Sequence, residues 1–233
     1  MTAPVNAMEG PDEAPEDAAR ASRPVRHTPL ATAVAARVQH LQAASLKGSP
    51  RAVARIAQLR RAVNTAPGQL PDVWEDTIGV VPENLIGRED DPSPAERAAH
   101  HALTLFALHR QGKADIAHST QVSFGGAIRE LARRRGGGTG DESPGVRRRF
   151  DALVTASTPD EGAYHLRGLV MMLRDAGLSM DYGRLAQDLA DLWTPARRDG
   201  VRLRWARQYR SRSPRANDDT QDIPTTATTE ERS

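Results

Sequence analysis

The sequence predicts an all-α protein with two small helical-bundle subdomains, flanked by acidic tails that we expect to be disordered. Three observations favour helices over strands. Aromatic residues are scarce, with three each of Trp, Tyr and Phe among 233 residues, so Ala, Leu, Val and Ile must fill the core. Ala and Leu favour helix, and apolar residues recur at helical rather than alternating spacing. Helix starts are also marked clearly in the sequence.

Six Ser/Thr-Pro pairs mark these starts. A Ser or Thr hydroxyl at the N-cap accepts a hydrogen bond from an otherwise unpaired N–H, and Pro at the first helical position lacks such an N–H. Two pairs extend into predicted capping boxes, Ser93 with Glu96 and Thr158 with Glu161, and Asp181 is a further predicted cap. We predict helices near 29–46, 50–64, 94–111, 124–135, 144–156, 159–176, 181–193 and 196–211, with a short one around 73–75.

Several of these helices carry an apolar stripe at a spacing of three or four residues, which is typical of a face packed in a helical bundle. We therefore expect these stripes to form the core: Val53, Ile56, Leu59 and Val63; Val146, Phe150, Leu153 and Val154; Leu166, Leu169, Val170 and Leu173; Tyr182, Leu185, Ala186, Leu189, Leu192 and Trp193.

Composition shifts divide the chain into four parts. We predict disordered acidic tails at 1–27 and 213–233, an N-terminal helical subdomain at 28–115 and a C-terminal one at 116–212. The net charge of +2 is uneven, because residues 1–20 and 216–233 each hold five acids and one Arg. The segment between these acidic ends therefore carries an excess of positive charge. Such a basic segment favours an anionic partner.

Arginine supplies nearly all of this positive charge, since only two of the 32 basic residues are lysines. The planar guanidinium suits phosphate and stacks on bases, although GC-rich coding also favours Arg over Lys. Several arginines point away from the apolar stripes or cluster at helix ends, and on helix 159–176 they alternate with Tyr164 and Met171. The predicted nucleic-acid-binding residues are Arg51, Arg55, Arg129, Arg133, Arg147, Arg148, Arg167 and Arg174.

Enzyme and metal chemistry find little support in the sequence. The absence of cysteine excludes disulfides, thiolate zinc sites and thiol catalysis, and it is compatible with the cytoplasm. His100, His101 and His109 share one predicted helix, but their spacing is not that of a His-Glu-x-x-His zinc site, and helix packing is the simpler interpretation. We expect no catalytic residue, metal or other cofactor. We also expect no membrane span, because no apolar run is long enough.

The second half of the sequence resembles the CasB family, the small subunit of the type I-E CRISPR surveillance complex Cascade. The resemblance rests on the order of several runs: 123–128 (SFGGAI), 147–153 (RRRFDAL), 165–170 (HLRGLV), 178–182 (LSMDY) and 201–209 (VRLRWARQY). It covers about residues 45–212. Family members often carry a basic residue where this chain has Gly126, and Arg129 stands one turn later.

The resemblance implies a non-catalytic helical protein that assembles with other Cascade subunits, including a second copy of itself. It also implies backbone contacts to guide RNA, target DNA and the displaced strand, which stabilise the opened state while base pairing reads the sequence. Two other interpretations stay open. Helices 181–193 and 196–211 suit a helix-turn-helix DNA-binding regulator, and the chain also suits a helical scaffold that binds only protein.

Overall fold

The computed structural model describes residues 28–112, 115–137 and 142–211, and the all-α prediction is confirmed there. The predicted acidic tails at 1–27 and 213–233 lie outside these residues. Nine α-helices occur within the described ranges: α1 (Pro29–Leu46), α2 (Pro50–Arg61), α3 (Trp74–Thr77), α4 (Pro94–His109), α5 (Phe124–Arg135), α6 (Pro144–Thr155), α7 (Pro159–Asp175), α8 (Tyr182–Leu192) and α9 (Arg198–Arg210).

Four of the six predicted Ser/Thr-Pro starts carry a side-chain cap, and Ser143 and Thr194 do not. The Ser93 hydroxyl accepts from the Glu96 N–H at 3.2 Å, and the Glu96 carboxylate accepts from the Ser93 N–H at 2.7 Å, so this capping box is complete. The second predicted box is only half formed. The Thr158 hydroxyl accepts from the Glu161 N–H, but the Glu161 carboxylate accepts from the N–H of Ser157 instead of Thr158.

Two predicted helices differ from the structure at one end because a 3-10 turn replaces the α-helix there. The helix predicted at 50–64 is α-helical only to Arg61, and Ala62–Asn64 form a 3-10 turn. At the other end of the chain, Pro195–Arg197 form a 3-10 turn before α9, and Thr194 makes no side-chain cap. Such turns are common at helix ends, where they tighten the last or first turn.

The core is a contiguous apolar cluster to which most helices contribute. Most of the predicted stripe residues are buried, with Val53 a clear exception, since 54% of it is exposed. On α2 the inward face is formed by Ala52, Ile56 and Leu59, continued by Ala62, and Val53 lies one residue around the helix from it. The stripe prediction was wrong there because it favoured the larger apolar residue.

α8 is largely buried by its neighbours. It packs against α1 and α4, while α9 packs on α5 and α6 packs on α7. A Cβ on Gly183 would lie 2.4 Å from the carbonyl oxygen of Ala31, so glycine permits the close approach of α8 to α1. The division at 115/116 stays a prediction, and the core cluster spans it.

The segment around the predicted boundary is held by one buried side chain. The Gln42 Oε1 accepts from the N–H groups of Ala117 at 3.0 Å and His118 at 2.9 Å, and its Nε2 donates to the His118 carbonyl at 3.1 Å. An isolated parallel bridge joins His118 to Met180. These contacts fix residues 117–118 against α1 and the start of α8.

Candidate nucleic-acid interface

Two predicted arginines contact residues at the end of α9. Arg147, in the first turn of α6, places its guanidinium carbon 5.2 Å from the centre of the Tyr209 ring. Arg129, on α5, donates to the carbonyl of Ser211 at 2.7 Å. We call this region the α9-end surface, and we include in it the exposed Arg148, which follows Arg147 in the sequence. It brings together residues that are 82 positions apart in the chain.

Arg147 and Arg148 are exposed at this surface, whereas Arg129 is half-buried. Arg147 donates to the Asp151 carboxylate one turn later at 2.9 Å, and this hydrogen bond raises the pKa of Arg147. Both partners are 53% exposed, so the pair is open to competition from another anion. Arg148 is exposed and makes no ion pair within the described residues.

Tyr209, whose ring lies against the Arg147 guanidinium, is held in place by a hydrogen bond from its hydroxyl group. Its hydroxyl donates to the Glu142 carboxylate at 2.6 Å, and its ring stacks on Phe150 with centroids 5.4 Å apart. Burial and the Glu142 hydrogen bond raise the pKa of Tyr209 to about 12, so the ring stays neutral. A fixed neutral ring gives Arg147 a defined position.

The start of α6 adds donors to the same surface. Ser143 precedes the helix but makes no side-chain cap, in contrast to Ser49 and Ser93. The first-turn N–H groups of α6 therefore lack that hydroxyl acceptor. First-turn N–H groups that have no acceptor among the described residues, together with nearby guanidiniums, favour a phosphate oxygen.

Arg133, at the end of α5, is engaged by an acid on its own helix. Glu130 accepts from Arg133 at 2.7 Å and from Arg134 at 2.8 Å. The hydrogen bond from Arg133, with that from Arg134, lowers the pKa of Glu130 to about 2 despite partial burial. The cluster keeps a net positive charge, and 63% of the Arg133 side chain is exposed.

Arg51 and Arg55 lie on a different part of the molecule. They line a cleft of about 220 Å³ between α1 and α2, together with Arg37, His40 and Glu75. Arg51 is exposed and makes no ion pair within the part of the chain that the structure describes.

Arg55 is half-buried and is held by acidic side chains of the protein. Its guanidinium contacts the carboxylate of Asp76, which is 1% exposed and also contacts Arg37, and it donates to Glu75 at 3.1 Å. Two cations therefore share one buried carboxylate. A buried acid requires such partners because an unpaired buried charge is strongly unfavourable.

Arg167 and Arg174, both on α7, differ in their surroundings. Arg167 donates to the side-chain oxygen of Asn64, across a cleft between α7 and the turn after α2. Arg174 lies near His109 and its Nε is buried without a hydrogen-bond partner among the described residues. Burial first, and then the charges of Arg174 and Arg110, lower the pKa of His109 to about 4.

Of the predicted residues, the structure brings Arg129 and Arg147 to the end of α9, and Arg148 and Arg133 lie next to them along α6 and α5. Arg51, Arg55, Arg167 and Arg174 lie on other helices. The sequence did not predict that Arg97 and His101 line the same cleft as Arg167. Their spacing of four residues on α4 puts them on one helix face, which was a usable signal. Tyr164, noted as a flank residue, lies in this cleft and is 74% exposed.

Two further findings concern the described residues only. No group of three or more His, Asp or Glu side chains there is placed to hold a metal ion. None of the described helices combines the length and apolarity needed to cross a membrane.

Comparison with known proteins identifies the family. Residues 55–209 match the family described as CRISPR-associated protein Cse2. The crystal structure of CasB from Thermobifida fusca is 30% identical, covers 80% of this chain and 100% of its own, and superimposes with a TM-score of 0.64. A Cse2-family protein from Thermus thermophilus is 26% identical over 77% of this chain and 96% of its own, with a TM-score of 0.55.

A chain of a structure described as a CRISPR RNA-guided surveillance complex shares the fold. It is 21% identical, covers 77% of this chain and 92% of its own, and gives a TM-score of 0.58. Comparison with curated protein sequences gave no match. The family match covers well over half of the chain and agrees with the Thermobifida fusca relative, and the chain therefore belongs to the Cse2 (CasB) family of CRISPR-associated proteins.

Proposed function

We propose that this chain is the small, non-catalytic subunit of a type I-E CRISPR surveillance complex in the cytoplasm. There it contacts the nucleic-acid backbone and stabilises the guide RNA–target DNA hybrid and the displaced strand. Its partners are the other subunits, including a second copy of this chain. Membership of the Cse2 family and the shared fold with a surveillance-complex chain support this assembly.

The α9-end surface is the observation that carries the backbone-binding role. Arg147 and Arg148 lie at a helix start, where the helix dipole does not favour cations. Such an arrangement gains stability from a bound anion, and phosphate is the anion that this geometry suits. Guanidinium forks and first-turn N–H groups bind phosphate oxygens without reading bases.

The predicted arginines take two roles in this proposal. Phosphate is contacted by the exposed side chains of Arg51, Arg133, Arg147 and Arg148 and by the half-buried side chains of Arg129 and Arg167. Arg55 and Arg174 are largely turned into the protein, and they contribute to the positive potential and to the fold rather than to direct contacts. Sequence specificity then comes from base pairing, as in other RNA-guided complexes.

The salt dependence of single-strand binding tests this role. If about five phosphates are neutralised, the slope of log K against log salt is expected near −3.5, from about −0.7 per phosphate. The double variant Arg147→Ala/Arg148→Ala should flatten this slope by about one to two units. Fluorescence anisotropy with a labelled single strand over a salt series measures it.

The matched control removes two charges elsewhere. Arg60→Ala/Arg61→Ala, at the end of α2, loses the same formal charge and should leave the slope nearly unchanged. If both double variants flattened the slope of log K against log salt equally, binding would depend on the net charge of the chain and not on the α9-end surface. A preference for a defined duplex over single strands would instead favour the helix-turn-helix regulator.

A further inference from the structure

A second cleft lies between α4, α7 and the turn that follows α2. It has a volume of about 390 Å³, and we call it the α4–α7 cleft. The lining of this cleft includes an exposed aromatic ring, a neutral imidazole and an amide. Contacts with a phosphate backbone alone would not require any of these three side chains. These are Tyr164, His101 and Asn64.

Tyr164 offers a free aromatic face at this cleft. It is 74% exposed, the largest exposed fraction among the large hydrophobic side chains described. Its ring meets the edge of His165, with centroids 5.3 Å apart and planes at 73°. Exposed aromatic rings next to basic side chains are the usual stacking platforms for bases of single strands.

The walls supply cations and hydrogen-bonding groups. Arg97 and Arg167 bring two guanidiniums, whereas Asp160 brings one carboxylate, so the lining is net positive. The Arg167 fork is held by Asn64 through one N–H, and a guanidinium has five donors, so others remain for a ligand. A phosphate and a planar group with polar edges would both find partners here.

His101 adds a donor and an acceptor without a third positive charge. Its ring packs at 5.3 Å from Trp193 and at 5.6 Å from His100. Burial, followed by the charges of His100 and Arg97, lowers the pKa of His101 to about 3. The imidazole is therefore neutral near pH 7 and suits the edge of an uncharged base.

We propose that the α4–α7 cleft holds one unstacked nucleobase of a single strand, with Tyr164 stacked on its face and Arg97 and Arg167 at its phosphate. A nucleobase fits because its faces are apolar while its edge carries donors and acceptors. Apolar residues of the lining, among them Val63, Leu105 and Ala163, complement a base face. The proposal rests on the proposed function, to which it adds a contact with a base.

The test separates the base from the backbone. The full-length chain and its Tyr164→Ala variant are titrated with a short labelled oligonucleotide and with an abasic strand of equal length. Both strands carry the same phosphates. The wild-type chain should bind the base-containing strand about tenfold more tightly than the abasic strand. The Tyr164→Ala variant should lose this preference, and the Tyr164→Phe variant should keep it. Leu203→Ala, at a residue 51% exposed on α9, is the matched control and should change neither affinity.

The outcomes distinguish the two proposals. Equal, salt-dependent binding of both strands, unchanged in Tyr164→Ala, would overturn the base site and leave the backbone contacts standing. A base preference that survives in Tyr164→Ala would also overturn it, because the base would bind elsewhere. Binding of neither strand by wild type would overturn both the base site and the single-strand role of this chain.

Discussion

Individual arginines of this protein differ in the acids that surround them. An arginine that is paired with a buried acid stabilises the fold, whereas an arginine without an acidic partner is available to a ligand. Arg55 shares the buried Asp76 with Arg37, whereas Arg51, one turn earlier on α2, has no acidic partner within the described ranges. The two looked alike in the sequence because helical spacing shows only which face a residue occupies. Asp76 comes from α3, far along the chain, and no local pattern reveals it.

Replacing these two arginines should therefore have different effects. Arg55→Ala removes one partner of a buried carboxylate and is expected to lower the free energy of unfolding by about 2 kcal/mol. Arg51→Ala alters an exposed side chain and should change it by less than about 0.5 kcal/mol. Urea unfolding of both variants measures the difference. Equal stability would show that the contact with Asp76 contributes little.

The buried His109 makes stability depend on pH. Its ring is hydrogen-bonded to the Tyr182 hydroxyl at 2.8 Å, and burial, with Arg174 and Arg110 nearby, lowers its pKa to about 4. The unfolded chain takes up this proton near pH 6.5, whereas the folded chain does so only near pH 4. The stability present above pH 6.5 is therefore lost as the pH falls towards 4.

The variant His109→Gln tests this dependence. It removes the titrating group and should flatten the fall in unfolding free energy between pH 6.5 and 4, by up to about 1.4 kcal/mol per pH unit. His100 and His101, whose pKa values are also lowered, remain in the variant and retain part of the slope. Urea unfolding across this pH range measures it, and an unchanged slope would exclude His109 as a contributor.

Helices were predictable because their signals are local, and their mutual packing was not. The Ser/Thr-Pro starts and most apolar stripes lie within single helices, so the sequence alone indicated them. The approach of α8 to α1 depends on Gly183 meeting the backbone of Ala31, which no stripe indicates. Likewise, the α9-end surface exists only after α5, α6 and α9 have packed.

Substitutions at two glycines distinguish the effect of helix packing from the effect of local helix propensity. Gly183→Ala places a Cβ 2.4 Å from the Ala31 carbonyl oxygen and is expected to lower the free energy of unfolding by about 1–3 kcal/mol or more. Gly200→Ala, on α9, meets nothing within 4 Å and should stabilise by about 0.4–1 kcal/mol, because alanine favours helix. Thermal unfolding compares them. Two variants of equal stability would mean that α8 and α1 are not so closely packed.

At the scale of the whole molecule, the charge distribution and the family membership both support the proposed nucleic-acid-binding subunit. The chain carries a basic middle between acidic ends, belongs to the Cse2 family and presents exposed arginines on several helices. The sequence predicted that arginines would form the nucleic-acid-binding surface. The fold brings some of these arginines together, whereas it turns parts of Arg55 and Arg174 towards the protein. Neighbouring helices decide which cations remain available to a partner.

Purification of the tagged chain from its native cells at moderate salt tests the central claim most directly. The co-purifying RNA and protein are then analysed, with and without nuclease treatment. The account predicts a discrete RNA of guide length together with several larger protein subunits. A chain that purifies alone, with duplex DNA only, or with protein partners and no RNA would contradict it.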